Sequence, residues 1–92
     1  MNITCYGILI QLSGGSAHHF DLAANATVQM ALGAFEARFP STSERLVRCA
    51  CAIGTQTVAR ENGLEASDTL VILPPESGGQ NSFAPANLFL PP

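Results

Sequence analysis

The sequence predicts a small α+β domain in which a mixed sheet of four to five strands packs against one main helix. Along the chain, strand-like and helix-like segments follow the order strand, strand, helix, strand, short strand, strand. Hydrophobic residues make up 47% of the 92 residues and charged residues only 12%, which favours a compact core over a disordered chain. A helix crossing one face of such a sheet forms a two-layer domain.

The N-terminal segment predicts a hairpin. Residues 3–12 are rich in apolar and β-branched side chains and contain no proline, which favours a strand. Residues 13–16 contain two glycines that can adopt positive φ, and therefore indicate a turn. Residues 18–22 are then expected to return as the second strand.

The main helix is predicted to begin after Thr27, whose hydroxyl can accept a hydrogen bond from a free amide of the first turn. Pro40 ends the helix, because the residue before a proline is pushed away from helical geometry. Between them, apolar residues recur at the spacing of one helical face: Val28, Ala31, Leu32, Phe35 and Phe39.

Three further strands are predicted, at residues 46–53, 56–59 and 69–73. Gly54 and Thr55 form a turn between the first two. The last strand is apolar enough to lie centrally in a sheet, and it ends at two prolines, which cannot donate to a strand ladder. By analogy, this element order predicts the β-grasp, or ubiquitin-like, fold, in which the last strand returns beside the first.

Composition and charge argue against several classes of function. The net charge is −3 and the four basic residues are all arginines, none adjacent to another, so a basic patch for nucleic acid is not expected. No apolar run approaches the length of a membrane span, and the N-terminus lacks the pattern of a secretory signal. An odd number of cysteines, three, fits a reducing cytoplasm better than a disulfide framework.

The cysteines are expected to pack in the core. Cys49 and Cys51 lie two residues apart on a predicted strand, so they face the same apolar side together with Val47 and Ile53. Buried free cysteine behaves as a small hydrophobic residue. Core packing is therefore favoured over metal ligation for these two residues and for Cys5.

No set of residues suggests an active site within the chain. His18 and His19 are adjacent on a predicted strand and therefore point to opposite faces, where both are expected at the surface. The sequence shows no nucleophile with a base and an orienting group, and no phosphate-binding loop. The chain is not expected to be an enzyme.

The segment SDTLVILPPESGG, residues 67–79, resembles the end of the MoaD/ThiS family of ubiquitin-like sulfur carriers. It is most similar to the molybdopterin synthase small subunits of that family. An acidic turn there leads into an apolar strand, and Asp68 matches this turn, although Ser67 stands where glycine is usual. The resemblance extends weakly over residues 1–79. The residues that match the family's terminal arm are Pro74, Pro75, Ser77, Gly78 and Gly79.

The resemblance implies a carrier rather than a catalyst. In the family, an E1-like enzyme uses ATP to adenylate the terminal glycine, and a sulfur donor converts it to a thiocarboxylate. An acceptor enzyme, such as the large subunit of molybdopterin synthase, then takes the sulfur. Gly79 would carry the reactive carbonyl and Gly78 would be its spacer, whereas the domain itself would bind no cofactor or metal. The partner-binding positions would be Leu73, Pro74, Pro75 and Ser77.

Two of these assignments have plainer alternatives. The glycine pair is also what a flexible hinge would contain. Leu73 is equally compatible with an ordinary strand residue.

Residues 80–92 depart from the molybdopterin-type pattern, which ends at the glycine pair. Gly79 is joined to Gln80 by a peptide bond, so the chain as written cannot form a thiocarboxylate there. Hydrolysis after Gly79 is favoured, as in relatives trimmed by a JAMM-type zinc protease. The alternatives are a permanent tail on a non-covalent binder and an incidental extension. The sequence thus predicts a β-grasp carrier domain at residues 1–79 and a flexible, removable extension at residues 80–92.

Three functions follow from these predictions. The favoured one is a sulfur carrier for molybdopterin, and hence molybdenum cofactor, biosynthesis. The second is a carrier of the same chemistry for thiamine, cysteine, homocysteine or a secondary metabolite. The third is a β-grasp interaction module without covalent chemistry.

Overall fold

A computed structural model describes residues 1–75 of the protein. It confirms the α+β class, with one mixed sheet of five strands in the order β2-β1-β5-β3-β4. No helix within residues 1–75 has the length and hydropathy needed to span a bilayer. The strands are β1 (Asn2–Cys5), β2 (Ala17–His19), β3 (Ala50–Ile53), β4 (Gln56–Val58) and β5 (Thr69–Leu73). The helices are α1 (Ile8–Ser13), α2 (Val28–Arg38) and α3 (Ser43–Leu46), the last preceded by a 3-10 turn (Pro40–Thr42).

The last strand, β5, lies at the centre of the sheet, as predicted. It pairs in parallel with β1, where Cys5 is opposite Ile72. On its other side it pairs antiparallel with β3, where Cys51 is also opposite Ile72. All three of these side chains are buried. The first and last strands are therefore neighbours, and β5 connects the two halves of the sheet.

The main helix, α2, packs its apolar stripe against the sheet. Thr27 caps the helix as predicted, since its hydroxyl oxygen accepts a hydrogen bond from the Met30 amide at 3.3 Å. The helix ends at Arg38, and the half-buried Phe39 follows it. The stripe joins the strand residues in one hydrophobic cluster through Val28, Ala31, Leu32 and Phe35.

Gly33 lowers the stability of α2, and no close packing contact requires a glycine at this position. A methyl group placed on Gly33 meets no atom within 4 Å. Alanine is more favourable than glycine inside a helix by about 1 kcal/mol, because its backbone loses less freedom on folding. We expect Gly33→Ala to raise the free energy of unfolding by about 0.5–1 kcal/mol in urea denaturation.

The contrasting variant is Gly54→Ala in the β3–β4 turn. Gly54 has a φ of 64°, and a side chain in this left-handed region costs roughly 1–2 kcal/mol. We expect this variant to lose stability. If both variants changed stability in the same direction, the conformational argument for Gly33 would be contradicted.

The prediction of a first strand over residues 3–12 is correct only as far as Cys5. Gly7 has a φ of 62° and interrupts the extended chain. A short helix, α1, then follows, and Gly14 ends it with a φ of 87° and an amide that donates to the Ile10 carbonyl. β2 accordingly occupies Ala17–His19 rather than residues 18–22. The predicted antiparallel pairing of the first two strands is confirmed, but a helix connects them.

The third strand begins at Ala50 rather than at residue 46. Pro40 ends α2, as predicted, yet it also opens the 3-10 turn that leads into α3. Val47 consequently lies outside the sheet and is 76% exposed. Its predicted place on the apolar face of the third strand is wrong.

Candidate functional site

The candidate site is the end of the sheet at which the central strand, β5, finishes. We call this end the C-terminal edge of β5. Because β1 is parallel to β5 and β3 is antiparallel, the end of β1 and the beginning of β3 lie at the same edge. Here Ala50 is opposite Leu73, and the chain then leaves the sheet through Pro74, which is buried, and Pro75, which is exposed. We call residues 74–79 the arm. The predicted site residues Ser77, Gly78 and Gly79 lie outside the described part of the chain.

Leu73 lies on the sheet face opposite α2. β5 alternates along its length, so that Leu70 and Ile72 are buried in the core, whereas Val71 and Leu73 are half-buried on the other face. Its antiparallel neighbour Ala50 is exposed, and Leu73 itself is partly accessible. Leu73 is thus available beside the arm, and its contact with a partner stays a prediction.

A groove lies beside the beginning of the arm, and we call it the arm groove. One part is apolar and consists of Ile8, Val47, Pro74 and Pro75. The other part is polar and comes from α3 and the residues after it, namely Ser43, Glu44, Arg45 and Arg48. Within residues 1–75, the guanidinium groups of Arg45 and Arg48 make no hydrogen bond or ion pair, unlike those of the other two arginines.

The other two arginines stabilise the fold. The Arg38 guanidinium stacks over the Phe20 ring at 3.7 Å from its centroid. The Arg60 guanidinium donates hydrogen bonds to the carbonyls of Leu46 at 2.7 Å and Cys49 at 3.2 Å. Arg60 therefore holds the end of α3 near the start of β3, and with it one wall of the arm groove.

The three cysteines are free and buried in the core, which confirms the predicted packing role. Burial raises the pKa of each thiol, and for Cys49 burial together with the neighbouring Cys51 thiol raises the pKa to about 11. The Cys49 thiol donates a hydrogen bond to the Arg45 carbonyl at 3.1 Å. A buried, protonated thiol is a poor nucleophile, so these residues are poorly suited to carry sulfur.

The raised pKa of Cys49 predicts a loss of stability at high pH. Since the folded-state pKa lies above the ordinary thiol value of 9.0, the folded protein holds this proton more tightly than the unfolded chain. The resulting stabilisation is complete below pH 9 and disappears as the pH rises through about 11. We expect the free energy of unfolding to fall over this range, and to fall less steeply in Cys49→Ala. Equal slopes for the two proteins would contradict the assignment.

The prediction of two surface histidines is correct for His19 and wrong for His18. His18 is half-buried, and its ring packs against Phe39 with a centroid distance of 4.7 Å. Its Nε2 atom lies 3.0 Å from both the Ser13 hydroxyl and the Gly15 carbonyl oxygen. No local pattern predicts this cluster, because its contacts depend on how α1 turns the chain back toward β2.

Ser13 and His18 do not form a nucleophile–base pair, although they are in contact. The Ser13 hydroxyl donates its one hydrogen to the Gly15 carbonyl at 2.9 Å. That hydrogen is therefore not directed at the Nε2 atom of His18, which lies 3.0 Å from the same carbonyl oxygen. The cluster fixes the connection between α1 and β2.

Comparison with solved structures identifies the architecture. The crystal structure of SAMP1 from Haloferax volcanii matches with a TM-score of 0.77 and 23% identity, covering 85% of this chain and 97% of that one. Another H. volcanii structure, of small archaeal modifier protein 1, matches with a TM-score of 0.76 and 20% identity, covering 82% and 95%. A Pyrococcus furiosus protein provisionally assigned as molybdopterin converting factor, subunit 1, has a TM-score of 0.74 and 17% identity, with the same coverage of 82% and 95%.

No family model and no curated protein sequence matches the chain. At these identities, the likeness to solved structures concerns the fold. The predicted ubiquitin-like β-grasp fold is thereby confirmed, and the predicted resemblance to MoaD-type proteins is confirmed at the level of three-dimensional structure.

Proposed function

We propose that the protein is a small carrier that receives sulfur at Gly79 and donates it to an acceptor enzyme. The observation that carries this proposal is the position of the Pro-Pro-Glu-Ser-Gly-Gly sequence directly after the central strand of a β-grasp body. Since β5 is hydrogen-bonded on both sides, the arm starts from a fixed point. The absence of side chains on Gly78 and Gly79 suits passage through a narrow active-site channel.

The chemistry takes place on an enzyme that binds the arm. The Gly79 carboxylate attacks the α-phosphorus of ATP, so that an acyl adenylate forms and pyrophosphate leaves. Hydrosulfide then attacks the acyl carbon and expels AMP, which leaves a thiocarboxylate. A persulfide donor instead forms an acyl disulfide, from which a reducing thiol releases the thiocarboxylate. ATP is bound by the E1-like enzyme, and the carrier supplies the carboxylate.

Removal of residues 80–92 precedes this chemistry, because Gly79 is otherwise held in a peptide bond to Gln80. A JAMM-type zinc protease is the class of hydrolase that the family resemblance implies. Molybdopterin biosynthesis is the favoured destination of the sulfur. Its support is the arm motif, together with the structural likeness to the protein provisionally assigned as molybdopterin converting factor, subunit 1. A carrier for another sulfur-containing product would use the same steps with a different acceptor enzyme.

A second candidate function is protein modification, which the two small archaeal modifier protein structures favour. In this reaction an amine attacks the same acyl adenylate, an amide bond forms and AMP leaves. The four basic residues of the chain are all arginines, so no lysine of this chain can serve as the acceptor. Any side-chain amine that is modified would belong to another protein.

The intact mass of the protein from its native cells tests the proposal. For a sulfur carrier, we expect a chain that ends at Gly79. Its mass should increase by about a further 16 Da, which is the difference between sulfur and the oxygen that it replaces. Larger conjugates joined through Gly79 would favour protein modification. A full-length chain in cells that make the sulfur-containing product would overturn both functions and favour a non-covalent module.

A further inference from the structure

We infer that the arm groove binds an acidic segment of the enzyme that activates the arm, an inference that rests on the proposed carrier function. The groove and the arm share Pro74 and Pro75. Gly79 is four residues beyond Pro75, and four extended residues span at most roughly 14 Å. A protein domain is about 30 Å across. An enzyme that encloses Gly79 is therefore large enough to reach the groove.

The charge of the groove determines the chemistry of its occupant. The protein as a whole carries a net charge of −3, yet two of its four arginines line the groove, with Glu44 as the one acidic lining residue within residues 1–75. Neither Arg45 nor Arg48 has an ion-pair partner in that part of the chain. A positive patch on an acidic protein attracts a carboxylate-bearing surface and orients the encounter.

The apolar part of the groove supplies the second recognition element. Val47 lies between the two arginines in sequence and is 76% exposed, although it is a β-branched apolar residue. Protein interfaces are enriched in arginine, and their buried centres are more apolar than the rest of the surface. The groove therefore fits a segment that presents both apolar and carboxylate side chains.

The chain's own residues beyond Pro75 are the competing occupant, and Glu76 is their one acidic side chain. The side-chain charges disfavour residues 80–92. This segment contains Phe83, Leu88, Phe89 and Leu90 but no charged side chain. It offers apolar contacts to Val47 and no acidic side chain to Arg45 or Arg48. A segment of the activating enzyme that carries apolar and acidic side chains would satisfy both parts of the groove.

The test is the rate of ATP–pyrophosphate exchange catalysed by the E1-like enzyme from the same genome. The carrier is residues 1–79, which contain every described strand and helix. We expect the double variant Arg45→Gln, Arg48→Gln to raise the KM for the carrier about tenfold with kcat unchanged, and to weaken the salt dependence of kcat/KM. Thermal unfolding checks that the variant is folded.

The matched control is the double variant Gln29→Glu, Gln56→Glu. It changes the net charge by the same amount at two exposed positions that do not line the groove, and we expect its KM to equal that of the unaltered protein. If the two double variants behaved alike, the groove would not be the docking site. If the unaltered carrier supported no exchange at all, the carrier function would fail and the docking inference with it.

Amide hydrogen exchange separates the two occupants. We expect residues 43–48 to exchange at the same rate in the full chain and in the chain that ends at Gly79. Slower exchange in the full chain would show that residues 80–92 cover the groove, and this outcome would overturn the inference.

Discussion

Replacement of Gly79 by alanine is expected to keep the protein at full length and free of sulfur. The trimming hydrolase and the adenylating enzyme both act at the carbonyl of residue 79. The Cβ atom of alanine is bonded to the Cα next to this carbonyl, so the added methyl group lies beside the reacting group. Misplacement of a reacting group by about 1 Å can cost about 100-fold in rate. We expect a decrease of at least this order in the formation of the thiocarboxylate, measured by intact mass after expression in the native cells.

The control for this variant is Gly33→Ala, which makes the same chemical change on an exposed face of α2. It is expected to be trimmed and loaded normally. A Gly79→Ala protein that still transferred sulfur at the normal rate would contradict the assignment of Gly79. Loss of loading in both variants would point to a general effect of glycine replacement instead.

Replacement of Phe35 by alanine is expected to produce the largest loss of stability. The Phe35 ring is fully buried and lies within 6.0 Å, centroid to centroid, of three other rings: His18, Phe20 and Phe39. Deletion of a buried phenylalanine ring costs about 3–5 kcal/mol, because apolar contacts are lost and a cavity remains. For a domain of this size, total stability is about 5–15 kcal/mol, so the variant is expected to be close to unfolding.

Thermal and urea denaturation measure this effect. A loss of 1 kcal/mol lowers the Tm of a domain of this size by roughly 4–8 °C, so a decrease of at least about 12 °C is expected. Met30→Ala is the control, because Met30 lies on the same helix and is 52% exposed. Its stability is expected to change by less than about 0.5 kcal/mol. Equal losses in the two variants would contradict the central role of Phe35 in the core.

The predictable parts of the fold are those in which local pattern and burial agree. In α2, the capping residue Thr27 and the apolar stripe specify the same helix. In β5, a continuous apolar run between Asp68 and two prolines specifies a central strand. Helix α1 could not be predicted in this way, because six residues are too few to distinguish a helical period from a strand, and Ile8 and Ile10 favour a strand.

The arm was predictable and the groove beside it was not. The arm is a contiguous motif, so its resemblance to a family is visible in the sequence. Arg45 and Arg48 are not adjacent in the sequence, so no basic patch is expected from it. Their position beside Pro74 depends on α3 and on the return of β3 to the edge where β5 ends. Contacts of this kind are set by the topology of the sheet and leave no local signal.

The central place of β5 has a consequence for biosynthesis. β1 and β3 are each hydrogen-bonded to β5 and not to one another, so a nascent chain that has not reached residue 69 can form at most two separate strand pairs of this sheet. The completed sheet has to wait until Thr69–Leu73 has left the ribosome, and the arm is translated immediately after that strand. A truncated translation product that lacks β5 also lacks the glycine pair. Incomplete molecules therefore cannot compete with finished ones for the activating enzyme.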